Sequence, residues 1–191
     1  MLDREACERR VYRLATLLAG NPTAAAKVIA QVVDAQPDLR DLDSAHMDRL
    51  TVLRSREINP ATLVHDLVPP RIAEALANLT PQQREAWVFA RVYRSPEREM
   101  ARAMDCSVTA TMRHLDLADA AMSAALGAQE ASSAASTLLS YSMSMDVPKF
   151  YRVERLRRRH ARIALMWFGA AALALLMAAA ILWWARPFEG K

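Results

Sequence analysis

The stretch SPEREMARAMDCSVTATMRHLDLA, residues 95–118, encodes two short helices with a corner between them. Ser95 belongs to the residue types that cap helix N-termini. Pro96 suits a first turn, and Glu97 and Glu99 put negative charge at the positive end of the helix dipole. Asp105, Cys106 and Ser107 make the corner. Asp tolerates a left-handed backbone better than most residues, and Ser107 is placed to cap a second helix from Val108. The outline is a helix-turn-helix.

Upstream, LTPQQREAWVFARVY begins after Leu79 with a capping box, Thr80 facing Gln83, and Pro81 at the first helical position. Trp87, Val88 and Val92 fall on its inner face, and Ile72, Leu76 and Leu79 mark a shorter helix before it. These helices and the helix-turn-helix form a unit over 71–126. A second unit is expected over 1–58. EACERRVYRLATLLA puts Val11, Leu14, Ala15 and Leu18 on one face and stops at Gly20. A helix from Thr23 presents Val28, Ile29, Val32 and Val33 and ends at Gln36-Pro37. A third, within 43–58, turns Met47, Leu50, Leu53 and Ile58 inward. Residues 59–70, with Asn59-Pro60 and Pro69-Pro70, read as a connector that includes a short turn, ATLVHDLV. Residues 127–150, rich in Ala and Ser, read as a flexible tether with little helix. With four glycines among 191 residues and no sustained strand alternation, the expected class is all-α.

The net charge of +4 is unevenly spread: residues 1–148 hold 16 Lys and Arg against 19 Asp and Glu, residues 149–191 nine against two. A mildly acidic helical part argues against tight non-specific nucleic-acid binding by that part. Ile163 to Ala185 is 23 residues without a charge. As a helix it reaches roughly 35 Å, enough for a hydrocarbon core of about 30 Å. Trp167, Trp183 and Trp184 sit near its ends, where indoles favour the interface. The basic segment 151–162 precedes it and residues 186–191 follow it. The positive-inside rule then places residues 1–162 in the cytoplasm and the last six beyond the membrane. The basic run also suits anionic lipid. Ala170, Ala174 and Ala178 have the small-xxx-small spacing of helix pairs, which allows a homodimer through the span. Cys7 and Cys106 lack CxxC partners and read as small apolar residues in a reducing compartment.

With these motifs in hand, the chain resembles the bacterial extracytoplasmic-function sigma factors. Leu79, Pro81, Arg84 and Glu85 match the entry to their DNA-reading region 4. Ala101 and Ser107 match its first arm, and Val108, Leu115 and Ala118 its recognition helix. More loosely, Tyr12, Arg13, Leu14, Ala15, Gly20, Asn21, Pro22 and Ala25 match the start of region 2. The resemblance covers about 100 of the 191 residues. It implies a membrane-anchored transcription regulator acting on promoter DNA, with RNA polymerase or a sigma or anti-sigma protein as partner. On a helix docked in the major groove, Ser107, Thr109 and Arg113 are the expected contacts. His114 is a phosphate donor, and Arg102 touches the backbone from the preceding helix.

The chain departs from the family where charge matters. Asp116 and Asp119 stand where basic residues are common, and Ala24, Ala25, Ala26 and Lys27 replace an acidic polymerase-binding face. Thr111 takes a branched apolar position, where its hydroxyl can bond back to a helix carbonyl. These differences support a second reading, a sigma-like scaffold that holds a sigma factor or its antagonist at the membrane. An enzyme is not indicated: no Gly-rich phosphate loop, Ser/His/Asp order or HExxH appears. No cofactor is implied. His46, His65, His114 and His160 lack ligand spacing, so no metal site is expected.

Overall fold

Capping chemistry sets most of the helix boundaries. In the computed structural model, residues 4–36, 38–58, 67–148, 166–167, 171–178 and 180 are described. Helix α1 spans Arg4–Ala19 and stops at Gly20, whose φ of 83° is easy only for glycine. Asn21 accepts the Ala24 N–H at 2.6 Å and so starts α2, Pro22–Ala35, one residue before the expected Thr23. A 3-10 turn over Leu39–Asp41 leads to α3, Ser44–Arg56, capped by Asp43 through the His46 N–H. Helix α4 spans Pro70–Ala77. The capping box forms with both bonds, Gln83 N–H to Thr80 Oγ1 at 3.4 Å and Thr80 N–H to Gln83 Oε1 at 3.0 Å. It opens α5, Pro81–Trp87, which runs on as a π-helical turn over Val88–Val92.

Helix α6 spans Glu97–Met104 and α7 Val108–Leu126. The expected cap at Ser95 does not form. Pro96 holds the N-cap position without a side-chain bond, and the Ser95 N–H reaches back to the Phe89 carbonyl at 2.9 Å. That bond closes the π-turn, so Ser95 belongs to the end of one helix rather than the start of the next.

The sequence pattern also misleads about the tether. Residues Ala128–Ser144 form α8, with Ala134, Leu138, Tyr141 and Ser142 buried along one face. Serine and alanine look like linker, but Ala134, Leu138 and Tyr141, four and three residues apart, give the helix an apolar stripe to bury. The inner face of α3 differs as well. Met47, Asp48, Thr51, Val52 and Ser55 are buried, whereas Leu50, Leu53 and Ile58 are only half-buried. The small polar residues pack because Thr51 and Ser55 return their hydroxyls to the carbonyls of Met47 and Thr51, at 2.7 and 2.8 Å.

Helices α1–α8 join in one unit, Met1–Pro148, where two were expected. A continuous core runs from Leu14, Leu17 and Leu18 of α1 through Trp87, Phe89, Met100, Met104, Leu115 and Met122 to Leu138 and Tyr141 of α8. Each large side chain fully withdrawn from water stabilises the fold by about 1.5–3 kcal/mol. Two arginines fasten the halves, Arg84 from within the core and Arg56 from its edge. Arg84 donates to the carbonyls of Leu76, Ala77, Leu79 and, in α1, Leu18, at 2.8–3.1 Å. It neutralises the negative ends of α1 and α4 together, and its burial lowers the guanidinium's pKa. Arg56 of α3 pairs with the buried Glu85 of α5 and donates to the Met104 carbonyl of α6 at 3.0 Å.

Lys149–Lys191 is a second unit. Its described residues, 166–167, 171–178 and 180, are helical, and their side chains are exposed. Among the described residues no helix is long and apolar enough to cross a membrane. The rest of the expected span over 163–185, the basic segment 151–162, residues 186–191 and most of the connector, 59–66, lie outside the described residues.

Candidate nucleic-acid interface

Three residues turn the chain between α6 and α7. Asp105 takes the left-handed conformation at φ 56°, ψ 44°, and its N–H caps α6. Ser107 then starts α7 by accepting the Ala110 N–H at 3.2 Å. Thr111, fully buried, returns its hydroxyl to the Ser107 carbonyl at 3.0 Å and lies 3.1 Å from Cys106 Sγ. The hydroxyl at an otherwise apolar position is thereby satisfied inside the corner. Met100, Ala101, Ala103 and Met104 bury the inner face of α6.

Helix α7 is amphipathic along its length. Thr111, Leu115, Ala118, Met122 and Leu126 form the buried stripe, three and four residues apart. Thr109, Arg113, Asp116 and Leu117 are exposed on the other side. Of the expected contact residues, Arg102, Ser107, Thr109 and Arg113 are exposed and His114 is half-buried. Ser107 spends its oxygen lone pair on the cap but keeps an O–H to donate.

The fold brings two further arginines to this corner. Arg98 and Arg102, one turn apart on α6, share a shallow open depression with Ser107, Val108 and Arg49 of α3. Arg49 Nη2 lies 2.9 Å from Asp105 Oδ1, an exposed pair that ties α3 to the turn. Arg98 was legible in sequence as the i−4 neighbour of Arg102. Arg49 was not: its position depends on α3 packing on α6, across the connector. The acidic residues of α7 are partly answered as well. Arg91 of the π-turn pairs with Asp119 through both carboxylate oxygens, with Nε 3.1 Å from Oδ1, and this holds the Arg91 guanidinium above its ordinary range.

The corner therefore joins backbone N–H groups at the start of a 19-residue helix, two hydroxyls and four arginines from α3, α6 and α7. Such a surface can meet phosphate through charge and base edges through Thr109 and Arg113. Compared with protein-family models, curated proteins and solved structures, the chain matches none.

Proposed function

We propose that this chain is a membrane-anchored, sigma factor-like transcription regulator that binds promoter DNA through the α6–α7 corner. The observation that carries this reading is the corner's composition. A left-handed Asp105 and the Ser107 cap present Ser107, Thr109 and Arg113 together, with Arg49, Arg98 and Arg102 alongside. Phosphate contacts from the arginines would set register, and Thr109 and Arg113 would contact base edges. The uncharged run 163–185, with its basic approach, is the reason for assigning an inner-membrane anchor.

The test is duplex binding by the full chain in phosphatidylcholine nanodiscs across a salt series. Specific binding should weaken with rising salt, and Arg113→Ala should cost about 1–3 kcal/mol and relax preference at one base position. Arg102→Ala should weaken all duplexes alike and shallow the salt slope by about one. An absence of salt-sensitive binding by the parent chain removes the DNA-reading function.

A second reading has its own observation. Leu117 is 48 % exposed and Val108 37 % exposed on the same helix that would enter the groove, and the helical part is acidic overall. Apolar side chains on a helix with one Arg and two Asp suit a protein partner, here a sigma factor or its antagonist held at the membrane. Co-purification of a sigma factor without polymerase favours this alternative; polymerase without a sigma factor favours the first.

A further inference from the structure

On the side formed by α1 and the end of α8, a cavity of about 370 Å³ opens between α1, α3, the π-turn and Met143. Its volume is that of a small-molecule pocket. Leu14, Phe89 and Tyr93 supply apolar wall, and Arg9, Arg10 and Arg13 supply charge. The π-turn is what brings Phe89 and Tyr93 to the same wall. Tyr93 is fixed there by a hydroxyl contact with Ser142 at 3.1 Å, and its N–H bonds five residues back to Val88. Wide helical turns of this kind are frequent where helices meet ligands.

The charges in the cavity do not balance. Arg10 is matched by Asp48 in a two-bond pair at 2.9 and 2.7 Å. Arg13 donates to neutral groups, the carbonyls of Met145 at 3.1 Å and Met143 at 2.7 Å and the Met143 sulfur at 3.4 Å. These bonds hold its guanidinium against the negative end of α8 and leave it without a carboxylate partner. Arg9 has no hydrogen-bond or ion-pair partner among the described residues. Among the described residues Asp48 is thus the one carboxylate lining the cavity against three guanidiniums, with Glu99 near enough to act on Arg10 and Asp48 from outside the lining. Asp48 is 8 % exposed, and burial raises its carboxyl against the pull of Arg10. Positive charge without a carboxylate partner beside an apolar wall attracts an anion more strongly than it would in water.

We infer that this cavity binds a small amphiphilic carboxylate, its apolar body against Leu14, Phe89 and Tyr93 and its acid group between Arg9 and Arg13. The inference does not rest on DNA reading, since the cavity shares no residue with the α6–α7 corner. It gives the chain a ligand-binding site whose occupant touches α1, the π-turn and α8 at once.

The probe is 3-phenylpropionate, titrated by calorimetry against the full chain in phosphatidylcholine nanodiscs. Two controls divide its chemistry: 3-phenyl-1-propanol keeps the ring without the charge, and propionate keeps the charge without the ring. Saturable binding of the acid is expected, with each control weaker by about tenfold or more, as loss of a charge-assisted contact or of apolar burial requires. Arg9→Ala removes an unpaired surface cation and should weaken the acid about tenfold without changing helicity. Ala6→Leu fills the cavity mouth while keeping a good helix former and should abolish binding. Equal affinity for the alcohol and the acid overturns the assignment of the charged subsite. Undiminished binding to Ala6→Leu overturns the location, and no saturable heat with any probe overturns the site.

Discussion

At the residue scale, an arginine–glutamate pair and a tyrosine show how this chain manages buried polarity. Arg56 is the answer to Glu85, which is 2 % exposed. Burial raises the Glu85 carboxyl, and the Arg56 bond and charge pull it back down. Arg56→Ala therefore strands a carboxylate in the core and should cost about 3 kcal/mol at neutral pH. Adding Glu85→Gln should recover part of that loss, because an unpaired amide is cheaper to bury than an unpaired charge. The pH response has a definite sign. Without Arg56 the folded carboxyl stands further above its unfolded value, so the folded state takes up the proton first. The deficit of Arg56→Ala should then shrink as pH falls from 7 towards 5, read from denaturant midpoints.

Tyr12, at 1 % exposure, has a phenol pushed up to about 12 by burial. An unfolded tyrosine ionises near 10, so from about pH 10 upward the unfolded chain loses its proton first. Stability from this group is complete below pH 10 and falls by about 3 kcal/mol as pH rises towards 12. Tyr12→Phe should move the alkaline unfolding midpoint upward. Some alkaline loss should persist, since burial raises Tyr93 and Tyr141 as well.

At the scale of elements, the decisive piece is α8. As a tether it would tolerate Leu138→Ala without effect. As a packed helix it buries Leu138 completely, against a core that includes Trp87 and Met122. Truncation there should cost about 2–5 kcal/mol, the price of lost burial and the cavity left behind. Leu139→Ala, at an exposed neighbouring position, should stay within about 0.5 kcal/mol. Chemical denaturation of the two variants checks the difference. A flat result for both would return residues 128–144 to a linker. The corner was legible earlier because its signals are local: Asp105 and Ser107 act on groups three or four residues away. Ser95 is not the cap because α6 starts one residue later, with Pro96 at the N-cap, while the Ser95 backbone bonds back to the π-turn, and that turn leaves no simple pattern in the residues.

At the scale of the whole molecule, charge and hydropathy divide the chain at about residue 148. The helical unit carries a slight negative excess and the remainder a strong positive one. On the proposed reading the intact chain should stay with the membrane pellet through alkaline carbonate extraction, which strips peripheral proteins. Replacing Leu173, Leu176 and Ala180 by Arg should move it to the supernatant, since each central charge opposes insertion by about 2.5–3.5 kcal/mol. Recovery of the parent chain wholly in the supernatant would sink the anchor and, with it, the tethered regulator.

Sequence alone determined the helical class, nearly every helix start in the N-terminal part and the shape of the α6–α7 corner. Caps, turns and apolar periodicity act within one or two turns of helix, so adjacent residues suffice to specify them. Tertiary structure decided that both helical groups share one core, that Arg49 joins the corner and that α8 closes the cavity beside Arg13. Those outcomes rest on bonds between residues as far as 132 apart, such as Arg13 to the Met145 carbonyl. No local pattern encodes such a bond. It forms only when burial of separate apolar stripes has already brought the partners together.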